Sequence, residues 1–294
     1  MEVIIGNNAG FCYGVQKAVE TTKKMLQECN KIQCLGELVH NSRVIKELEE
    51  SGLKTISDIS KATKKTIIRA HGVSKKVYEE AEKRKIELLD LTCPNVLKIH
   101  KIIEEYVNND YFVFLIGSKK HPETLGSFGF ANNNGYIIET DEDINLGIEN
   151  LKKSNRNKLL IIVQTTFSLI KFNNLVDNIT NILDKSMQEK LGKNENITIE
   201  IKNTICNATK IRQEETKELS SKVDCMIIIG GKNSSNTKKL YEIAKLNCEN
   251  TFLIESLEEL EYENMNKFEK IGIMAGASTP KTSIEDVKEY LENL

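Results

Sequence analysis

The chain has 294 residues with 41 basic and 43 acidic side chains, a formal charge of -2. Neither that balance nor any lysine or arginine block supports a nucleic-acid partner. Apolar runs such as Leu159 to Val163 fall far short of the roughly 20 residues a membrane span needs, and Val3-Ile4-Ile5 opens a strand without a signal-peptide pattern, so a cytoplasmic protein with no membrane partner is expected. An odd set of seven cysteines fits reduced thiols better than a disulfide framework.

In chain order, Val3 to Ile5 reads as a strand ahead of Cys12, and Val15, Ala18, Val19, Thr22, Met25 and Leu26 place one apolar face on a helix that ends near Cys29-Asn30. The run Ile32 to Val39 closes on His40-Asn41, and a short helix through Val44, Ile45 and Leu48 stops at Gly52. Lys65 to Ile68 leads into Arg69-Ala70-His71-Gly72, where Ser74 can cap a helix carrying Val77, Tyr78 and Ala81. The strand Ile86 to Leu91 delivers Cys93, with Pro94 at a first-turn position of the next helix. The second stretch repeats this scheme. Strand Tyr111 to Ile116 precedes a polar loop, Gly117 to Thr124. Tyr136 to Glu139 is a short strand, Leu159 to Val163 ends in Gln164-Thr165-Thr166, and Ile197 to Ile201 delivers Cys206. The polar segment Lys185 to Glu195 reads as a surface loop. In the third stretch, Met226 to Ile229 ends in Gly230-Gly231-Lys232-Asn233-Ser234-Ser235-Asn236. Thr251 to Ile254 follows, and Ile271 to Met274 ends in Ala275-Gly276-Ala277-Ser278 before a final helix.

The third stretch is one strand short, and only Val3 to Ile5 can supply it. The sequence therefore predicts an α/β protein of three similar small parallel-sheet domains arranged cyclically: 13–92, 93–205, and 206–294 with the N-terminal strand 1–12. Ligands of open α/β sheets bind outside the carboxyl ends of the strands, where nearly every polar motif lies.

Cys12, Cys93 and Cys206 each stand where a strand hands over to a helix. The helix dipole favours thiolate there, the form that attacks or binds metal. They lack C-x-x-C pairing, but equivalent placement in three units suits iron-sulfur or zinc ligation with a fourth position open. His40, His71 and His121 also follow strands, as expected of anion or substrate contacts, whereas His100 lies inside a helix as a structural residue. Lys232 to Asn236 and Gly276-Ala277-Ser278 precede helices with the donors of a phosphate cradle, and neither is a Walker sequence. Glu123, two residues from His121, is a candidate proton donor if its surroundings are dry.

Taken together, Gly10-Phe11-Cys12-Tyr13-Gly14-Val15, Val39-His40-Asn41, Ala70-His71-Gly72-Val73-Ser74, Thr92-Cys93-Pro94, His121-Pro122-Glu123, Gln164-Thr165-Thr166, Ile205-Cys206, Lys232 to Asn236 and Ala275 to Ser278 resemble, in order and over essentially the whole chain, the LytB/IspH family of 4-hydroxy-3-methylbut-2-enyl diphosphate reductases. The resemblance implies a trefoil of three α/β domains around a 4Fe-4S cluster held by Cys12, Cys93 and Cys206. It implies reductive dehydroxylation of the allylic diphosphate to isopentenyl and dimethylallyl diphosphates, the last step of the non-mevalonate isoprenoid pathway. His40, His71, Ser234, Asn236 and Ser278 would hold the diphosphate with Ser235 nearby, and His121, Glu123 and Thr165 would sit by the substrate hydroxyl and the proton path. A ferredoxin or flavodoxin is the implied electron donor. Lys120 and Leu125 depart from the family pattern, which more usually has Gly and Glu there. The rival readings are a quinolinate-synthase type of iron-sulfur enzyme, a zinc- or cysteine-dependent phosphohydrolase and a non-catalytic phosphate binder.

Overall fold

The computed structural model describes residues 1–63, 65–189, 197–260 and 264–294. Among the described residues, twelve strands form three parallel four-stranded sheets. The first comprises β2 (Ile32–Leu35), β3 (Leu53–Ile56), β4 (Lys65–Ile68) and β5 (Glu87–Asp90), in the order β3-β2-β4-β5. The second comprises β6 (Phe112–Ile116), β7 (Gly135–Ile138), β8 (Lys158–Val163) and β9 (Thr198–Lys202), in the order β7-β6-β8-β9. The third holds β10 (Cys225–Ile229), β11 (Thr251–Ile254) and β12 (Lys270–Ala275), and β1 (Glu2–Ile5) joins it beside β12, Val3 opposite Ile271. With β1 as fourth strand, all three sheets share one order, so the N-terminal strand fills the place the sequence left empty.

Helices follow the strands as parallel crossovers require: α1 (Tyr13–Cys29), α2 (Ser42–Glu50), α3 (Lys75–Lys83), α4 (Pro94–Asn108), α5 (Pro122–Phe128), α6 (Glu142–Lys153), α7 (Leu169–Glu189), α8 (Asn207–Ser220), α9 (Ser235–Asn247) and α10 (Lys281–Glu292). Sheet alternation puts Phe112, Phe114 and Ile116 into one core and Val113 and Leu115 into another, so both faces of the second sheet are covered at its centre and the central strands β6 and β8 read as continuous apolar runs. By its internal contacts the chain forms two compact units. Unit one is Met1–Ala70, Leu88–Leu91 and Asn207–Leu294, and unit two is His71–Glu87 and Thr92–Cys206.

Several elements differ from the sequence reading. Strand β2 stops at Leu35 because Gly36 turns at φ +75; Leu38 and Val39 stay buried without being extended, so their apolar signal reports burial alone. Strand β3, with only Leu53 and Ile56 buried, carries too little pattern to read. The polar loop after β6 contains α5, whose inward residues Glu123, Thr124, Gly126 and Ser127 are small or polar and give no apolar period. Helix α6 also goes unread in the sequence, although Ile144, Ile148 and Leu151 carry its spacing. Ser74 stands at the N-cap of α3 but makes no side-chain capping bond. Of the segment expected to be a loop, Lys185 to Glu189 continue α7, and residues 190–195 lie outside the described residues.

Candidate functional site

In unit two, the loops leaving β6 and β8 are locked together by polar side chains. Gln164 Oε1 accepts from the Ser118 amide (3.0 Å) and the Thr124 hydroxyl (3.2 Å), while its Nε2 donates to Thr166 Oγ1 (3.0 Å). His121 caps α5, accepting at Nδ1 from the Glu123 amide at 3.2 Å. That bond assigns the proton of a neutral His121 ring to Nε2. The His71 ring meets His121 edge to face at 5.5 Å. His100 is buried inside α4 and stacks on Phe130 at 4.3 Å, the structural role expected of it.

Glu123 lies in the first turn of α5 and is only 2 % exposed. Its two carboxyl oxygens accept from Thr165, Oε1 from the backbone amide (2.6 Å) and Oε2 from the hydroxyl (2.7 Å). Burial pushes the carboxyl up to about 7, against the opposing pull of both Thr165 bonds. The carbonyl of the same Thr165 accepts from the Cys206 amide at 3.0 Å, so the acid and one candidate ligand are fixed to one residue. Cys93, the second candidate ligand of this unit, is the N-cap of α4, with Pro94 in the first turn.

The raised pKa has a consequence for stability. Folded protein holds this proton up to about pH 7, whereas an ordinary glutamate releases it near 4.5. The folded chain therefore binds more protons between those values, and the stability Glu123 contributes at low pH is lost as pH rises through about 7. The full swing is on the order of 3 kcal/mol. Denaturant unfolding at pH 5 and pH 8 is expected to show the wild type losing about that much more stability than Glu123→Gln over the interval.

In unit one, four loops from two sheets meet. Cys12 is the N-cap of α1, and its amide donates to the Ala277 carbonyl at 3.1 Å. Ser278 Oγ donates to the His40 carbonyl at 2.9 Å. A Cβ on Gly231 would lie 2.6 Å from that carbonyl oxygen, so only glycine lets the β10 loop approach the His40 loop so closely. Asn41 caps α2 by accepting from the Val44 amide at 3.1 Å, and Ser234 caps α9 by accepting from the Thr237 amide at 3.3 Å. Burial, aided by the charge of Arg69 and opposed by Glu37, holds His40 below the ordinary imidazole range, so it is neutral at pH 7.

Asn236 is 3 % exposed, yet neither Oδ1 nor Nδ2 has a hydrogen-bond partner among the described residues. Buried amides are normally satisfied, so this one is poised for a group that arrives from outside. Asn236→Ala is expected to leave the unfolding midpoint unchanged or raised, because it removes a desolvated amide that pairs with nothing among the described residues. It is expected to weaken the binding of inorganic pyrophosphate about tenfold, read by calorimetry.

Among the seven cysteines, Cys12, Cys93 and Cys206 are half-buried, Cys34, Cys225 and Cys248 are buried, and Cys29 is exposed. Thus the three thiols singled out by position also share an intermediate exposure. The sequence reading missed Thr237, whose buried Oγ1 also lacks a partner among the described residues, and Arg69, whose position directly before Ala70-His71 was the available signal.

Residues 3–292 match the family model described as LytB protein. A 4-hydroxy-3-methylbut-2-enyl diphosphate reductase of Clostridioides difficile is 39% identical over 300 residues, covering 100% of both chains. One from Caldanaerobacter subterraneus is 40% identical over 300 residues, covering 100% of this chain and 98% of the relative. Among solved structures, an (E)-4-hydroxy-3-methyl-but-2-enyl diphosphate reductase, described as the terminal enzyme of the non-mevalonate pathway, aligns with a TM-score of 0.69 at 36% identity, covering 100% of both chains. The reductase of Plasmodium falciparum aligns with a TM-score of 0.86 at 28% identity, covering 99% of this chain and 88% of that one.

Proposed function

The chain belongs to the LytB family, and from that membership we propose that it reduces 4-hydroxy-3-methylbut-2-enyl diphosphate to isopentenyl and dimethylallyl diphosphates. The observation that carries this reading is the carboxyl of Glu123, buried, gripped by Thr165 and pushed up to about 7. A group that holds and releases a proton near neutral pH is what loss of an allylic hydroxyl as water requires.

The overall change breaks one C–O bond and forms one C–H bond, consuming two electrons and two protons, one of which leaves in the released water while the other is added to carbon. Cys12, Cys93 and Cys206 would hold a 4Fe-4S cluster, one thiol from each junction of the proposed domains 13–92, 93–205 and 206–294 with 1–12. The donor set fits such a group, because each residue offers a sulfur, is half-buried and stands at the start of a helix. When bound, the cluster supplies electrons and a Lewis-acidic iron.

The protein's own residues bind, orient and protonate. His40, Ser234, Asn236 and Ser278 would hold the diphosphate through imidazole, hydroxyl and amide donors, with Ser235 beside them, and the same motif match assigns His71 to that group. His121, whose Nε2–H is the donor left by its cap bond, and the Thr165 hydroxyl would orient the substrate hydroxyl. Glu123 would deliver the proton. Electrons must arrive singly, so a small carrier of the ferredoxin or flavodoxin type is the proposed partner, and a cytoplasmic location is proposed with it. No helix among the described residues is long and apolar enough to cross a membrane.

Anaerobic incubation of iron-loaded protein with a one-electron reductant and the allylic diphosphate tests the reading. Release of both C5 diphosphates is expected; inorganic phosphate as the only product would point to a phosphohydrolase instead.

A further inference from the structure

Strands β2 and β4 are neighbours, with Leu35 opposite Ile68, so the next residues, Gly36 and Arg69, leave the first sheet side by side at its carboxyl end. Gly36 stands at φ +75, and a Cβ there would fall 2.0 Å from Arg69 Nη1 and 2.7 Å from Cζ. The missing side chain at 36 is the space the guanidinium occupies. Arg69 is half-buried, and its Nε is fully enclosed without a hydrogen-bond partner among the described residues.

Little nearby compensates this charge. The Cys34 thiol is buried and pushed up to about 12, so it stays neutral. Among the described residues Glu37 is the carboxylate acting on Arg69, and it also stands 3.6 Å from His40 Nδ1 with its side chain 57% exposed. A guanidinium cannot shed its proton to escape burial. It therefore leaves excess positive potential beside His40, in the loop that Ser278 and Gly231 hold against the phosphate-cradle loops.

We propose that Arg69 is a further residue of the anion site, a fixed positive charge set behind His40 that draws and retains the diphosphate without replacing the neutral donors that contact it. The inference rests on reading His40, Ser234, Asn236 and Ser278 as the diphosphate site. It assigns Gly36 a part as well, that of giving the guanidinium its seat.

Calorimetric binding of inorganic pyrophosphate to the full chain tests it with three variants. Arg69→Gln is expected to weaken binding about tenfold, and Arg69→Lys to stay within about threefold of wild type, because charge at this site matters more than fork geometry. Glu37→Gln, at an exposed side chain, is expected to strengthen binding about threefold by removing the partial counter-charge. In turnover, Arg69→Gln is expected to raise KM by the factor seen in binding and leave kcat unchanged. Wild-type affinity in Arg69→Gln, or a Lys variant as weak as the Gln variant, would overturn the proposal, the latter by showing that Arg69 serves only packing. An unchanged affinity in Glu37→Gln would also count against it. Failure of the wild type to bind pyrophosphate would instead overturn the diphosphate reading beneath it.

Discussion

Glu123→Gln is expected to lower turnover by about two to four orders of magnitude while leaving KM within roughly threefold. The substitution keeps the size of the side chain and an oxygen that can accept from the Thr165 amide, so the 2.6 Å contact that ties α5 to the β8 loop can survive. It removes only a proton that moves near pH 7. A structural role alone would predict a different pattern: the variant would lose stability and substrate affinity together. Burial of Glu123 makes it costly as an anion, and a buried residue kept only for packing would be better served by an apolar side chain. Turnover near the wild-type level, with an unchanged cluster spectrum, would remove Glu123 from the proton path.

Cys93→Ser is expected to abolish stable cluster binding, and with it the brown colour and essentially all turnover. A serine hydroxyl keeps its proton at neutral pH and is a poor donor for iron, whereas a thiolate at a helix start is favoured by the dipole. The same position makes the test clean. Cys93 is the N-cap of α4 and forms no side-chain capping bond there, while serine is among the better N-cap residues. The variant should fold at least as well as the metal-free wild type, so loss of iron will not be confused with unfolding. Iron content equal to wild type together with full activity would refute ligation by this residue.

The two substitutions separate the electron path from the proton path in different ways. One leaves the spectrum and removes turnover, and the other removes both. Thr165 joins them physically, since its hydroxyl and amide grip Glu123 and its carbonyl accepts from the Cys206 amide. A substitution at Thr165 should therefore disturb both readouts at once and is the less informative choice.

The parts of this organisation that were legible in the sequence are those carried by period and punctuation. Apolar strands ending in cysteine, histidine or glycine could be read directly, and the missing strand of the third stretch pointed to Val3 to Ile5, which pairs with β12. What could not be read were features whose signal is polar or relational. Helix α5 hid because its buried face consists of Glu123, Thr124, Gly126 and Ser127, the residues that build the site rather than a core. The sequence leaves the dryness around Glu123 as a condition, because burial depends on residues that are distant in sequence, such as Gln164 and Thr165. The unpartnered amide of Asn236 and the seat of Arg69 over Gly36 are likewise properties of packing. No spacing rule reports them.

Iron and acid-labile sulfide can be counted on protein purified without air, and the same sample then tested for anaerobic reduction of 4-hydroxy-3-methylbut-2-enyl diphosphate. A 4Fe-4S cluster held by Cys12, Cys93 and Cys206 predicts a brown protein with iron and sulfide in about equal amounts, roughly four of each per chain when fully loaded. It predicts that this sample releases isopentenyl and dimethylallyl diphosphates when supplied with electrons. A colourless protein that binds zinc at Cys12, Cys93 and Cys206 and leaves the allylic hydroxyl in place would contradict it.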